Sequence, residues 1–470
     1  MVHDHTTTSS SSKGAYLSSM VAAIGGFLCG FDTGATGGVL TMAPFRQRFF
    51  TNEHPSSSSS SEYLEGSFLA TYLMMAAIGS FSSGYFCDRW GRKYTIIHAS
   101  WLFCMGNLCI AVGSNLSLVL VGRMLAGGAA GLMSNAIPIY QVEIAPPQVR
   151  GRLMSFFTLM SIMGQVAGYF VTFGTSYLMT STDWCWRTPY LLQCFVSLVF
   201  ISCMLPMPLS PRFLIAQGRI QQALATLKEL HGSIAEYDSI QKEISMIDTT
   251  EKATLTDLML GPVHRYQFWI SVFIVTATSM TGTAAVWYYA PQIFIAAGLT
   301  NVSSSIAATA GSGIVSLIAT AISLGWWIDH LGRRRLFLWG SAVMSISLFT
   351  VGVVFAHGGD PSTAALGMII ISIYVFIAAF AATWGVGTFV YPAEILSTRC
   401  RALGLAVVYG LSWVYSTLIG YGVPFFLSRS VAGVFFFFAA CTATSIIGVC
   451  FIPETKGVAL EELQPLFHSL

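Results

Sequence analysis

The chain has 470 residues, 54% of them hydrophobic and only 9% charged, with a mean hydropathy of +0.66. So little polar surface cannot cover a water-soluble globule, which excludes a cytosolic enzyme and makes this an integral membrane protein in contact with the lipid bilayer. A net charge of +2 without a basic tract excludes a nucleic-acid binder, and ten cysteines with neither CxxC nor His/Cys spacing imply no metal site.

The N-terminus is polar and serine-rich before Gly14, without the basic region and cleavage site of a signal peptide, so the first apolar run is expected to remain as a span. Runs of about 20 apolar residues cross a hydrocarbon core of roughly 30 Å. They fall at 16–41, 63–86, 95–113, 117–141, 153–175 and 189–207, and again at 267–290, 303–327, 336–357, 365–392, 402–427 and 431–452. The reading is an all-α membrane protein with twelve transmembrane helices in two six-helix halves. Its expected parts are a tail at 1–15, a first bundle at 16–207, a linker at 208–266, a second bundle at 267–452 and a tail at 453–470.

Gly84 to Lys93, GYFCDRWGRK, recurs as GWWIDHLGRR from Gly325 to Arg334: Gly84, Asp88, Gly91 and Arg92 return as Gly325, Asp329, Gly332 and Arg333 at a constant offset of 241. Each copy lies between two apolar runs and reads as a tight polar hinge. Tyr140, Glu143 and Arg150 recur likewise as Tyr391, Glu394 and Arg401, so the chain is two copies of one design.

Most Lys and Arg residues, including Arg89, Arg92, Arg150, Arg333 to Arg335 and Arg401, fall on the side of the two tails, and only Arg46, Arg48, Arg187 and Arg429 fall on the other. By the positive-inside rule both tails and the linker are cytoplasmic. The linker carries Leu and Ile at helical spacing with charges between, as in short amphipathic helices under a bundle. Ser56–Ser61 reads as a low-complexity outer loop, and the sequons at Asn115 and Asn301 sit in loops too short to expect modification. His98 reads as a packing residue.

In chain order, GFDTGATGGVL, GYFCDRWGRK, GRMLAGGAAGL, PIYQVEIAPPQVRG, WCWRTPYLLQ, PLSPRFL, YYAPQIF, YPAEI and PETKGVALEEL resemble the sugar porter family of the major facilitator superfamily over nearly the whole chain. The resemblance implies the major facilitator fold, a central site near the bilayer midplane open alternately to either side, and a plasma-membrane carrier of a small solute.

Asp32 and Arg123 are the only charges well inside the runs, and an unpaired charge there costs about 2.5–3.5 kcal/mol. They read either as a static ion pair or as a proton site whose partner separates from it on a change of conformation. The family's proton symporters are similar in carrying Asp and Arg at these positions, whereas its uniporters commonly lack the acid, which favours coupling through Asp32 and Arg123.

The family also places salt-bridge networks at the cytoplasmic helix ends. These would comprise Asp88, Arg89, Arg92, Glu143 and Arg150 in the first half, with Asp329, Arg333, Glu394, Arg401 and Glu454 in the second. The family's PESPR becomes Pro208-Leu209-Ser210-Pro211-Arg212, so the first half loses an acid that Glu454 keeps in the second, and its arginines are expected to be held less firmly.

Sugar porters read hydroxyls with amides, which offer donor and acceptor together. Aligned on fixed neighbours, those amide positions hold Thr158, Thr278, Ser279 and Ala284, the polar residue before the eleventh-span Trp is Ser412, and the stacking Trp position holds Phe389. Gln165, Tyr288, Tyr289, Trp384 and Trp413 remain, which implies a wider, more aromatic and less polar cavity than a hexose site.

The leading function is a proton-coupled symporter of a sugar-like or less hydroxylated neutral solute. An exporter of a less polar metabolite and a non-transporting sugar sensor are the alternatives, the sensor disfavoured by the short tail after the last run.

Overall fold

The computed structural model describes residues 13–50, 58–145, 150–179, 181–231, 255–261, 264–299, 301–357, 363–396 and 401–454. Among them, twelve helical units are long and apolar enough to cross a membrane, and there is no strand. In chain order α1 is Lys13–Val39, α2 Ser58–Trp90, α3 Arg92–Val112, α4 Leu116–Ile144, α5 Arg150–Leu178 and α6 Trp184–Met204. In the second half α7 comprises Arg265–Met280 and Thr283–Ala296, and α8 is Val302–Ile322, running on through a π-turn at Ser323–Trp327 to Ile328–Leu331. Then come α9 (Arg333–Ala356), α10 (Thr363–Ala382 and Trp384–Ile395), α11 (Arg401–Arg429) and α12 (Val431–Cys450). The ends on the side of the two tails are called inner, the opposite ends outer.

Each unit overlaps one apolar run, with two corrections. α2 begins at Ser58, inside the serine run expected as loop. α7 and α10, expected to be continuous, are interrupted. Gly282 is left-handed at φ 79°, and Thr383 departs from helical geometry at φ −124°, ψ −80°. Backbone groups freed in an apolar medium need partners, and side chains supply them: the Thr281 hydroxyl donates to the Thr278 carbonyl at 2.6 Å, and that of Thr383 to the Ala379 carbonyl at 2.6 Å.

The duplication is visible in the backbone. Gly91, at φ 85° and ψ 155°, separates α2 from α3, and Gly332, at φ 86° and ψ 153°, ends α8 and starts α9. A side chain is strained in this region, so one glycine suffices for each hinge. The Tyr repeat has a matching role: Tyr140 donates to the Pro208 carbonyl and Tyr391 to the Pro453 carbonyl, both at 2.7 Å. Each bond ties the inner end of a helix to the chain leaving the sixth or twelfth span.

Of the linker, Pro211–Ala216, Ile220–His231 and Leu255–Leu260 are short helices, and Leu214, Ala223 and Leu227 form a small apolar cluster. Residues 232–254 lie outside the described residues, as does 455–470 of the final tail. Asn115 and Asn301 are helix N-caps, accepting from the backbone N–H of Leu118 and Ser303 at 3.0 Å.

Packing between helices decides where the polar side chains point. Gly30 and Gly34 bring α1 against the α5 backbone so closely that a Cβ would lie 1.7 Å from the Ser161 carbonyl oxygen and 2.2 Å from that of Gln165. Such small-residue contacts hold helices together where lipid offers no hydrophobic driving force. Asp32 lies between the two glycines in sequence and so on the opposite face of α1, towards α4. We expect Gly30→Ala to lower the thermal midpoint of the detergent-solubilised protein, since overpacking costs about 1–3 kcal/mol. Gly84→Ala, at a site with nothing within 4 Å of the added carbon, should leave that midpoint unchanged.

Candidate translocation site

Asp32 of α1 and Arg123 of α4 meet in the first half with both side chains at 0% exposure. Arg123 Nη1 donates to Oδ1 at 2.9 Å and to Oδ2 at 3.1 Å. The guanidinium also lies over the Phe68 and Tyr72 rings of α2, 4.5 Å from each centroid. In this conformation the pair is fully buried.

Polar contacts lead from there to the second half. Thr33, next to Asp32, shares a 3.4 Å hydroxyl contact with Tyr288 of α7. Gln165 donates to the Tyr169 hydroxyl at 3.0 Å, and Tyr169 donates on to the Trp287 carbonyl of α7 at 3.2 Å. Trp413 of α11 donates to Ser134 of α4 at 3.4 Å. Tyr289 instead stays within its own half, donating to the Gly420 carbonyl at 2.7 Å.

The short polar residues are partly occupied already. Thr278 donates to the Ile274 carbonyl at 2.8 Å and lies 2.6 Å from the Thr388 hydroxyl, while Ser279 donates to the Val275 carbonyl at 3.0 Å. Thr158, Ala284, Phe389 and Ser412 are half-buried, with the Phe389 ring 5.4 Å from that of Tyr409. Trp384 is not brought to this group. Its ring packs 4.5 Å from Phe337 and its N–H donates to Ser341 at 3.0 Å, inside the second bundle at 0% exposure.

At the inner end the described charges bond within one half. Arg92 contacts Glu143 at 3.1 Å and Asp88 at 3.4 Å, and Arg89 donates to the Tyr85 hydroxyl at 2.6 Å. Ser210, next to the Leu209 that stands where the family has its acid, donates to Glu143, so Arg92 keeps two carboxylates and Ser210 braces one of them. In the second half Glu454 accepts from the backbone N–H groups of Arg333 at 2.8 Å and Arg334 at 3.1 Å, capping α9. The side chains of Arg150, Asp329, Glu394 and Arg401 lie outside the described residues.

The outer end holds residues that sequence reasoning missed. Glu65 of α2, 6% exposed, pairs with Arg46 and accepts from Gln292 of α7 at 3.0 Å, which joins the two halves. Tyr63 and Phe425 meet edge to face at 4.6 Å beside it, and a cavity of about 200 Å³ lies between Glu65, Gln292, Pro424 and Val431. A carboxylate two residues into an apolar run was the available signal. These contacts join the two halves on this side of the outer end.

The model for sugar (and other) transporters matches residues 18–467. The chain belongs to that family. YncC of Bacillus subtilis (strain 168), named for metabolite transport, is 32% identical across 95% of this chain and 93% of its own length. A protein of Aspergillus niger named for quinate permease activity is 29% identical, covering 97% of this chain and 88% of its own. Among solved structures, the proton:xylose symporter XylE bound to 6-bromo-6-deoxy-D-glucose is similar with a TM-score of 0.83 at 25% identity, over 98% of this chain and 100% of that one. This member of the sugar transporter family is a multi-pass membrane transporter of the major facilitator fold and not an enzyme.

We expect Glu65→Ala to loosen the outer closure. A hydrogen bond to a charged group contributes about 1.5–3 kcal/mol, so labelling of a reporter cysteine at Thr33 by a membrane-impermeant reagent should rise about tenfold.

Proposed function

We propose that the protein is a proton-coupled carrier of a small, neutral, ring-shaped solute less hydroxylated than a hexose, working by alternating access in the plasma membrane. The observation that carries the coupling is the fully buried Asp32–Arg123 pair, one residue from the Thr33–Tyr288 contact between the halves. A movement of α7 that breaks this contact changes the surroundings of the pair, and Asp32 then exchanges its cation for a proton. The similarity to a proton:xylose symporter supports the reading.

In the same scheme the inner-end contacts, the charges of Arg92 with Asp88 and Glu143 and the backbone N–H groups of Arg333 and Arg334 with Glu454, form a latch that separates as the inner end opens. Glu394, Arg401, Arg150 and Asp329 belong to this proposed latch by their positions in the repeat, and Arg89 by its place at the inner end of α2.

The chemistry of the centre supports the solute class. Gln165 is the one amide retained, and its donor already serves Tyr169; Thr278 and Ser279 donate to backbone carbonyls. Short hydroxyls reach less far than amides, and a sugar hydroxyl left unsatisfied costs about 1–3 kcal/mol. A flatter solute resting on Phe389 needs fewer polar partners. Relatives named for metabolite and quinate transport accord with cargo other than hexoses.

Two measurements test the reading. In proteoliposomes with an imposed proton gradient, Asp32→Asn should abolish protonophore-sensitive accumulation and leave exchange down a gradient. A potential of 100 mV on one charge supplies about 2.3 kcal/mol, roughly a fifty-fold ratio, so the loss is large. In competition assays, cyclic metabolites with fewer hydroxyls should inhibit uptake where D-glucose does not. Saturable glucose transport at micromolar to millimolar affinity overturns the solute class.

A further inference from the structure

The interruption of α10 has no proline to explain it: none lies from Thr363 to Tyr391, and Pro392 follows only at the inner end. A sharp break without proline arises at glycines, at a π-turn or where a side chain enters the hydrogen-bond ladder. Here the break falls at Thr383, ahead of Gly385, and side chains do enter the ladder.

Four carbonyls end the outer part of α10, and in an apolar interior each needs a donor. Phe380 accepts the Thr383 N–H at 3.2 Å, and Ala379 accepts the Thr383 hydroxyl at 2.6 Å. The other two are met from α8. Ser323 donates to the Ala382 carbonyl at 2.6 Å, and Thr320 reaches the Ala381 carbonyl at a longer 3.5 Å. Both α8 residues are at 0% exposure, and Ser323 opens the π-turn of that helix.

The second wall of the joint is α9. A Cβ at Gly340 would lie 2.0 Å from Thr383 Oγ1, so this glycine leaves the space that the threonine fills. Next to it, Ser341 accepts from the Trp384 N–H at 3.0 Å and lies 3.2 Å from the Ser445 hydroxyl of α12. The first residue of the inner part is thereby pinned.

We propose that Ser323 and Thr383 hold α10 broken and so set the rotation of its inner part, which makes them positioning residues for Thr388 and Phe389. The link to the solute rests on the reading of Phe389 as its resting surface; the joint itself does not.

In a continuous helix the carbonyls of Ala379, Phe380, Ala381 and Ala382 would accept from the N–H groups of Thr383, Trp384, Gly385 and Val386. At the break, hydroxyls replace the first and last of these donors, and the amides of Trp384, Gly385 and Val386 begin a new helix without partners inside it. Removing either hydroxyl leaves a buried carbonyl that regains a donor by closing the ladder. Closure carries the inner part round with its backbone, and the 2.6 Å contact of Thr388 with Thr278 of α7 is lost.

The test is hydrogen–deuterium exchange of the purified protein in detergent, read by mass spectrometry at Trp384, Gly385 and Val386. In Ser323→Ala, and in Thr383→Val, which keeps the branched shape, exchange at these amides should slow about tenfold or more as they enter the ladder. Thr383→Ser keeps the hydroxyl and should exchange as the wild type does. Simple loosening has the opposite sign, because a structure that only loses a buried bond exchanges faster. Faster or unchanged exchange in both Ser323→Ala and Thr383→Val overturns the joint. Neither result touches the solute class, which the competition assays decide separately.

Discussion

Arg123 carries a full charge into the buried interior of the first bundle, and among the described residues Asp32 is the carboxylate that meets it. Much of the first half is arranged around that requirement. The glycines of α1 clear one face for the α5 backbone, which turns Asp32 towards α4, and the α2 rings close over the other side of the guanidinium. Removing either partner leaves an uncompensated buried charge, which is far costlier than replacing both. A pair under that constraint is suited to a carrier, because the proton is the one species that neutralises Asp32 without leaving a void.

In the proposed reading the duplication supplies the motion, since each half has a positive-φ glycine at its repeated hinge and is tied at its inner end by a tyrosine bond to the departing chain. Among the described residues, polar bonds between halves include the Thr33–Tyr288 hydroxyl contact near the centre, the Tyr169 donor to Trp287, a Trp donor to Ser134, and the Glu65–Gln292 bond at the outer end. The interruption of α7 lies between the part that carries Thr278 and the part that carries Tyr288 and Gln292. One helix therefore joins the solute position to the outer closure.

At the centre, hydroxyls stand where the family's sugar readers carry amides, and they spend their donors on backbone carbonyls of their own helices. This satisfies the helix without the solute. In the proposed reading, recognition then relies more on shape and aromatic surface than on a fixed array of donors.

The all-α fold, the twelve spans and the two-fold repeat were legible in the sequence, because lipid permits only long apolar helices and because the hinge glycines recur at one offset. Asp32 and Arg123 were legible as well, since a charge inside an apolar run is conspicuous. Other features were decided by tertiary structure alone. The breaks in α7 and α10 depend on threonine hydroxyls that sequence cannot distinguish from ordinary helix-bonded ones. Trp384 and Tyr289 read alike with Tyr288 as site aromatics, yet one ring turns into the second bundle, one bonds within its half and only Tyr288 reaches across, because rotation about a helix is set by what packs beside it. The outer closure joins Arg46, Glu65 and Gln292, and no local pattern connects residues 227 positions apart.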